Sequence, residues 1–240
     1  MDRPLSTLNR IVDLQRFYEL LGEHSKQVGG DRLLSECSGR LEWPARGVYF
    51  FFEPGEMRTD SGSGARVVRV GTHALKPGSR TSLWNRLSQH RGALSSGRGN
   101  HRGSIFRLLI GAALLNRDQL RLTTWGSGSS APREIRELEQ DLEREVSRTL
   151  ASMRVRWLAV EDDSGPGSLR GVIERNAIAL LSNAGREAID RPSDQWLGLH
   201  CPRELVRASG LWNQKHVSET YDPAFLDLIE SHVTKLKVTA

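Results

Sequence analysis

The sequence predicts an α+β fold: a small antiparallel three-stranded sheet flanked by helices, with an N-terminal helical extension and a mostly helical C-terminal tail. Two dense runs of β-branched and aromatic residues, 47–53 and 66–72, lie on either side of a turn rich in glycine and serine. A third run of this kind follows at 155–160. Around these runs, apolar residues recur at the helical spacing of three and four. The 240 residues suffice for one substantial domain with additions.

The N-terminal segment has a helical pattern. Over residues 5–40, apolar side chains follow a period near 3.6, with a break at Val28-Gly29-Gly30. This pattern predicts one or two amphipathic helices, and we assign residues 1–42 to an N-terminal extension.

The first two strands are expected to be neighbours in the chain and in the sheet. The run 47–53 is bounded by Pro44 and by Pro54-Gly55, which are typical strand ends. Residues 54–65 contain glycine and serine and predict a turn or hairpin loop before the second strand at 66–72.

Helices are expected where apolar spacing is helical and a capping residue precedes it. Thr81 or Ser82 is the expected cap of the first helix after the hairpin. Residues 92–104 are rich in glycine, serine and arginine and predict a flexible loop. The expected helices are 82–90, 105–115, a strongly acidic one over 133–150, 169–183 and 223–235.

Charge is distributed unevenly along the chain. The formal net charge is +5, but the window 61–117 contains ten basic residues and no acid. A stretch of one sign that is rich in arginine is typical of proteins that bind polyanions. Its basic residues are Arg66, Arg69, Lys76, Arg80, Arg86, Arg91, Arg98, Arg102, Arg107 and Arg117.

Composition excludes several classes of protein. No run reaches the roughly 18 apolar residues needed to span a bilayer, which excludes an integral membrane role. The first residues lack the apolar core of a signal peptide. Cys37 and Cys201 are too few for a disulfide framework or a structural zinc site. We therefore expect a cytoplasmic protein.

Three side chains near the predicted strands could act on a phosphate. Tyr49 shares one strand face with Gly47 and Phe51, because strand residues two apart point the same way. Arg86 and His90 are four apart, so they lie on one helix face. A guanidinium there could stabilise charge on a phosphate, whereas an exposed, unpaired arginine is the alternative.

Glu174 is the most informative acid. Its neighbours on the same helix face are Ala177, Ile178 and Leu181, so the carboxylate lies on the apolar stripe. A carboxylate there must be paired with a cation or bind a metal. An oxygen ligand with few protein partners suits Mg²⁺ or Mn²⁺, and a salt bridge to a basic residue is the alternative.

These residues occur in the order found in a known family. Gly47-Val48-Tyr49 followed by Arg69-Val70-Gly71 resembles the paired tripeptides that name the GIY-YIG nucleases. Arg86 is similar to the arginine of the family's next helix, and Glu174 and Asn183 are similar to its metal-binding glutamate and closing asparagine. The resemblance covers roughly residues 46–184.

The resemblance implies a function and a division of the chain. It implies a divalent-metal-dependent endonuclease that hydrolyses DNA phosphodiester bonds, with Mg²⁺ (or Mn²⁺) on Glu174. Tyr49 would activate water, Arg86 would stabilise the phosphate charge, and His90 would act beside them. Gly47, Gly71 and Asn183 would be structural. The implied units are the extension 1–42, a nuclease-like domain 43–185 with a helical insertion near 105–150, and a C-terminal extension 186–240 packed on the same body.

One motif residue departs from the family pattern. Arg69 stands where the second tripeptide of the family has tyrosine. Arginine stays protonated and cannot act as a base near neutral pH. It could instead hold the phosphate or the phenolate form of Tyr49. A cation at this position is similar to some restriction enzymes of the family.

Further residues of the basic window are expected to contact nucleic acid: Arg66, Arg80, Arg91, Arg98, His101 and Arg102. A basic cleft binds a DNA or an RNA backbone, so RNA stays open as a substrate. A nuclease of this size could cut both strands of a duplex either as a homodimer or by cutting twice. Two other functions also stay open. One is a catalytically impaired module that only binds nucleic acid through residues 61–117; the other is a protein-interaction domain using the acidic helix.

Overall fold

A four-stranded antiparallel sheet forms the centre of the protein. The structure is a computed structural model and describes residues 3–93, 95–165 and 167–239. Its strands lie in the order β1-β4-β2-β3. They are β1 (Arg32–Leu33), β2 (Gly47–Met57), β3 (Ala65–Gly71) and β4 (Arg154–Ala159).

Helices surround this sheet on both faces. In the described residues they are α1 (Leu5–Gln27), α2 (Leu83–Arg91), α3 (Ile105–Arg117), α4 (Arg133–Leu138), α5 (Gln140–Ala151), α6 (Leu169–Leu181), α7 (Glu204–Ser209) and α8 (Phe225–Thr239). Among the described residues, no helix combines the length and the apolar character that crossing a membrane requires.

The predicted fold class is confirmed, with a correction to the number of strands. The sequence predicts three strands, whereas the sheet has a fourth, β1, which pairs antiparallel with β4. Its residues fall in the segment expected to be helical. Gly29 and Gly30 end that helical stretch with φ angles of 81° and 93°, a conformation that glycine adopts easily.

Two other predicted elements differ in extent. Strand β2 continues through Pro54 and Gly55 to Met57, with irregular register towards β3, so the hairpin turn is shorter than expected. The acidic helix expected over 133–150 is divided into α4 and α5 at Glu139. The buried Glu139 carboxylate accepts hydrogen bonds of 2.6 and 2.8 Å from Arg102, a contact outside the helix that no helical spacing predicts.

Both faces of β2 are buried, which explains its continuous apolar sequence. Val48, Phe50 and Phe52 face one cluster, formed with α1, α6 and α8. Tyr49 and Phe51 face the other cluster, formed with α2, α3 and α5. Helices α2 and α6, which carry the predicted site residues, therefore approach the β2–β3 pair from opposite sides.

The C-terminal segment covers the open edge of β3. The Trp212 N–H donates to Val68 O at 2.7 Å. The side chain of Asn213 accepts from Val70 N–H at 3.1 Å and donates to Val70 O at 2.8 Å. Trp212 contacts Val68 and the next residue, Asn213, contacts Val70, so the C-terminal segment and β3 run in the same direction. The edge strand thus has no exposed row of backbone groups over this stretch.

The fully buried Arg107 guanidinium joins α2, α3 and α5. It donates to both the carboxylate and the carbonyl oxygen of Glu143, to Ser147 Oγ at 2.8 Å and to His90 O at 2.8 Å. Burial tends to raise the pKa of Glu143. Hydrogen bonds from His101 and the charge of Arg107 more than offset that effect, so the pKa is lowered.

Replacing Arg107 should destabilise the protein strongly. Arg107→Met leaves the buried Glu143 carboxylate without its cation, and we expect a loss of about 3–5 kcal/mol in the free energy of unfolding, measured by urea denaturation. The matched control is Arg133→Met, which breaks an exposed pair with Glu137 and should cost less than about 1 kcal/mol. Equal losses in the two variants would contradict this account.

Candidate active site

Tyr49 occupies space that exists because residue 71 is glycine. The two residues are directly paired between β2 and β3, and Tyr49 is 1 % exposed. A Cβ atom on Gly71 would lie 2.4 Å from the Tyr49 hydroxyl oxygen. Gly47 is required for a similar reason, because its Cβ would lie 2.5 Å from Leu158 O. Gly71 therefore permits close packing beside the phenol, and Gly47 permits the close approach of β4.

A chain of hydrogen bonds continues from Tyr49 into the interior. The Tyr49 hydroxyl oxygen lies 2.9 Å from His90 Nε2, and His90 Nδ1 lies 2.7 Å from Ser104 Oγ. All three residues are buried. Burial lowers the pKa of His90 well below its usual value, and the nearby charges of Arg86, Arg69 and Arg107 act in the same direction. His90 is therefore uncharged at neutral pH.

Arg69 lies beside Tyr49 on the same face of the sheet. Its guanidinium donates to Trp212 O and its Cζ lies 4.7 Å from the centre of the Phe106 ring. Its Nε is buried and has no hydrogen-bond partner among the described residues. Burial lowers the pKa of Arg69, whereas its interactions with Tyr49 oppose that shift.

Glu174 reaches the same region from α6. Its Oε1 accepts from Thr72 N–H at 3.1 Å, just beyond the end of β3. Burial raises the pKa of the Glu174 carboxyl. The Arg69 charge, the Thr72 hydrogen bond and the charges of His216 and Arg86 oppose the rise. The carboxylate is therefore surrounded by positive groups without forming a salt bridge shorter than 4.0 Å in the described residues.

Arg86 is the least buried of the cations in this region. It donates to Gln89 Oε1 at 3.1 Å and to Gly103 O at 3.2 Å. Its charge acts on His90, Arg69 and Glu174. The structure thus brings together the five residues predicted to be catalytic, which are Tyr49, Arg69, Arg86, His90 and Glu174.

Three residues expected to contact nucleic acid are engaged inside the protein. Arg66 donates to the Glu56 carboxylate at 2.5 and 2.7 Å and is 3 % exposed. Arg102 binds Glu139, as described above. His101 is 2 % exposed and its Nδ1 lies 3.0 Å from Glu143 Oε1. The charge in the basic window is therefore partly neutralised by acids from elsewhere in the chain.

The other three residues of that set lie nearer the surface. Arg80 and Arg98 are exposed. Arg91 is half-buried, donates to Cys37 O, and its Cζ lies 4.9 Å from the centre of the Trp84 ring. Among these six residues, Arg80 and Arg98 have the greatest exposure.

Asn183 lies at the far end of α6 from Glu174. Its side chain accepts from Ile189 N–H at 3.0 Å and from Arg10 at 3.0 Å, and donates to Ile189 O at 3.1 Å. It stands nine positions after Glu174 and two beyond the last residue of α6, about 13 Å away if the helical rise continued. It organises the end of α6 and does not contact the group formed by Tyr49, Arg69, Arg86, His90 and Glu174.

Several residues of this region were missed by the sequence analysis. Ser104 bonds to His90, Thr72 to Glu174, and Trp212 to Arg69. His216 lies near Glu174, and its Nδ1 is 2.7 Å from Glu219 Oε1. Only the serine carried a signal, since a serine directly before a helical pattern is a typical cap. Thr72 contacts Glu174 through its backbone N–H, which no side-chain pattern indicates, and Trp212 and His216 lie far along the chain.

Comparisons with known proteins are consistent with this geometry. A family model described as GIY-YIG domain matches residues 8–239. The matched range includes most of α1 and all of α8, as well as the predicted catalytic residues. Neither the curated proteins nor the solved structures contain a match.

Adding a methyl group at Gly71 should disturb Tyr49 and the fold together. Gly71→Ala forces the phenol to move, and we expect a loss of about 1–3 kcal/mol in the free energy of unfolding, measured by urea denaturation. Gly22→Ala is the control, because its Cβ would meet nothing within 4 Å in helix α1. That change should stabilise the protein by about 0.5–1 kcal/mol. Unchanged stability of Gly71→Ala would contradict the close packing of Tyr49.

Proposed function

The chain belongs to the GIY-YIG domain family, and on that basis we propose that it is a divalent-metal-dependent endonuclease that hydrolyses DNA phosphodiester bonds. Membership of the family implies a nuclease-type fold. The observation that carries the finer proposal is the convergence of Tyr49, Arg69, Arg86, His90 and Glu174, which come from β2, β3, α2 and α6. A surface that only binds DNA gains nothing from a half-buried carboxylate such as Glu174 among its cations.

In the proposed reaction, a water oxygen bonds to phosphorus while the bond from phosphorus to one ester oxygen breaks. Tyr49 first loses its phenol proton to solvent, and its oxygen then takes a proton from the attacking water, which restores the phenol. The departing ester oxygen takes a proton from solvent. The products are a phosphate monoester end and a hydroxyl end.

The cations of the site suit the charge that develops on the phosphate. Arg86 is partly exposed and can direct its guanidinium to the nonbridging oxygens, where the charge increases as water attacks. Arg69 is held from behind by Trp212 O. Its position beside Tyr49 favours negative charge on the phenolic oxygen.

The residues present fit a hard divalent ion, Mg²⁺ or Mn²⁺. Glu174 accepts one backbone hydrogen bond, and within the described ranges no three His, Cys, Asp or Glu side chains form a metal-binding group. A single carboxylate suits an ion that keeps most of its waters and does not suit structural zinc. When bound, the ion would supply positive charge at the phosphate.

The binding surface and the assembly also remain proposals. We place the DNA backbone along the exposed Arg80 and Arg98 and the half-buried Arg86 and Arg91. RNA is an alternative polyanion for the same surface. A cytoplasmic location, a homodimer and the division into 1–42, 43–185 and 186–240 are proposed from the sequence alone.

Glu174→Ala should abolish cleavage while leaving DNA binding nearly unchanged. Without the carboxylate, the ion has no protein ligand, whereas the arginines that bind the backbone remain. The measurement is nicking of supercoiled plasmid in Mg²⁺, Mn²⁺ or EDTA, with affinity measured separately by fluorescence anisotropy. Glu137→Ala, at an exposed ion pair, is the matched control and should cut normally. Full activity of Glu174→Ala would show that the metal is held elsewhere.

Tyr49→Phe should reduce the cleavage rate by about 10²–10⁴-fold, since only the proton-accepting oxygen is lost. The fold should persist, which circular dichroism would verify, and single-turnover cleavage of a labelled duplex gives the rate. A rate near that of the wild type would remove Tyr49 from the chemistry. If the wild type fails to cut in any metal yet binds DNA with a steep salt dependence, the protein is instead a binding module.

A further inference from the structure

The loop that follows α2 lies close to α3 and α5. A Cβ atom on Gly97 would lie 3.2 Å from Arg144 Cγ, and one on Gly99 would overlap the Arg107 guanidinium. Gly97 also has a φ of 65°, which glycine adopts easily. Arg98 stands between these two glycines, so its backbone is held beside α5.

The side-chain amide of Gln140, at the start of α5, joins two arginines. Guanidinium groups can only donate hydrogen bonds, so the amide oxygen faces them. In this orientation Oε1 accepts from Arg98 Nε at 2.7 Å and from Arg144 Nη2 at 2.7 Å. Two positive charges are therefore close together and share a neutral acceptor. An anion beside them would offset their repulsion.

Arg98 and Gln140 line a surface cleft of about 390 Å³, which we call the α5 cleft. It lies between the loop 95–100 and helices α4 and α5. Its other lining residues are Gly99, Arg133, Arg136, Glu137 and Glu143. Apart from glycine, all these side chains are polar or charged, so the cleft suits a charged ligand.

Both acids of the α5 cleft are already paired with arginines. Glu143 is bound by Arg107 inside the protein. Glu137 lies 2.7 Å from Arg133 in an exposed ion pair. Neither carboxylate is therefore available to neutralise the remaining cations of the cleft.

Two arginines of the α5 cleft remain without a carboxylate. Arg98 and Arg136 are exposed, and neither has a carboxylate oxygen within 4.0 Å among the described residues. Arg144, beside them, pairs with Asp141 at 2.8 Å. A guanidinium presents a fork of N–H donors that matches two oxygens of a phosphate. The excess positive charge and its geometry thus favour a phosphate as the ligand.

A row of arginines connects the α5 cleft with helix α2. Arg144 also lines a second cleft, of about 250 Å³, together with Arg91 at the end of α2. Ala93 N–H, two residues beyond α2, donates to Arg98 O at 2.7 Å. Arg86 stands five positions before Arg91, or about 8 Å along the helix axis. Since a DNA strand advances about 3.4 Å per nucleotide, the cleft is a few nucleotides from a phosphate at Arg86.

We propose that the α5 cleft binds a backbone phosphate of the nucleic acid, a few nucleotides from the phosphate at Arg86. The inference rests on the proposed function, because it extends the proposed binding surface from α2 across α5. It assigns the direct contacts to Arg98 and Arg136, with Gln140 positioning Arg98. The segment 133–150, which is acidic by composition, then contributes cations to the substrate surface.

Binding can be measured on the full chain in EDTA, where a metal-dependent enzyme does not cut. The probe is a fluorescent DNA duplex, and anisotropy gives the affinity over a range of salt concentrations. Arg98→Gln and Arg136→Gln should each weaken binding by about five- to tenfold at about 0.1 M salt. Each should also reduce the slope of log affinity against log salt by about one.

The matched control for these two variants is Lys26→Gln. Lys26 is an exposed cation of α1, and α1 packs against the opposite face of the sheet from α5. Its loss should leave the slope unchanged. An unchanged slope in both arginine variants would overturn the proposal. An equal loss in Lys26→Gln would also overturn it, because net charge would then account for the binding.

Gln140→Glu separates phosphate binding from a purely structural role of the amide. A carboxylate between the two guanidinium groups neutralises them, so the urea midpoint should rise while DNA binding weakens by about five- to tenfold. Gln15→Glu, at an exposed position of α1, is the control and should bind DNA nearly as the wild type does. A stabilised Gln140→Glu that binds DNA normally would overturn the proposal.

The cleft and the nuclease activity fail in different ways. A wild type that binds DNA with a steep salt dependence but cuts it in no metal would overturn the nuclease proposal and leave the α5 cleft standing. A wild type that cuts, with Arg98→Gln and Arg136→Gln binding normally, would overturn the cleft alone. A wild type that binds neither DNA nor RNA would overturn both.

Discussion

The β2–β3 pair carries mostly apolar side chains on both faces, and this property requires a layer of helices on each side of the sheet. Helix α2 lies on one side and brings His90 to Tyr49; helix α6 lies on the other and brings Glu174 to the end of β3. The site forms where the two layers meet around the edge strand. A polar residue in place of Phe50 or Phe51 would remove the apolar contacts that hold either layer in place.

The local elements and the motif residues could be predicted from the sequence because their signals are short. Tyr49, Arg86 and Glu174 are recognised from spacing and from the family resemblance. The two-residue strand β1 and the cover on β3 could not be predicted, because each depends on partners more than a hundred residues away. The charge of the window 61–117 was also misleading, since a sequence shows charges but not their pairing.

Two of the buried arginines in the described residues, Arg10 and Arg107, find their acceptors inside the protein. Arg10 donates to backbone oxygens at the end of α6, and Arg107 binds Glu143, Ser147 and His90. These guanidinium groups join helices, and their hydrogen bonds go to acceptors inside the protein. Arg69 differs, because its Nε has no partner among the described residues while Tyr49 and Glu174 lie near it. An arginine N–H that has no acceptor, beside a phenol and a carboxylate, is more typical of a reaction site than of a structural ion pair.

The arginine at position 69 also explains why the C-terminal segment belongs to the site. A buried tyrosine there would have one proton to donate, whereas a buried guanidinium has five N–H donors and needs more acceptors. Trp212 O supplies that acceptor, and the N–H of the same residue covers the edge of β3 at Val68. One peptide segment therefore closes the sheet and fixes the cation beside Tyr49. Since arginine cannot take a proton near neutral pH, proton transfer in the proposed reaction falls on Tyr49 alone, and the groups that surround its oxygen become decisive.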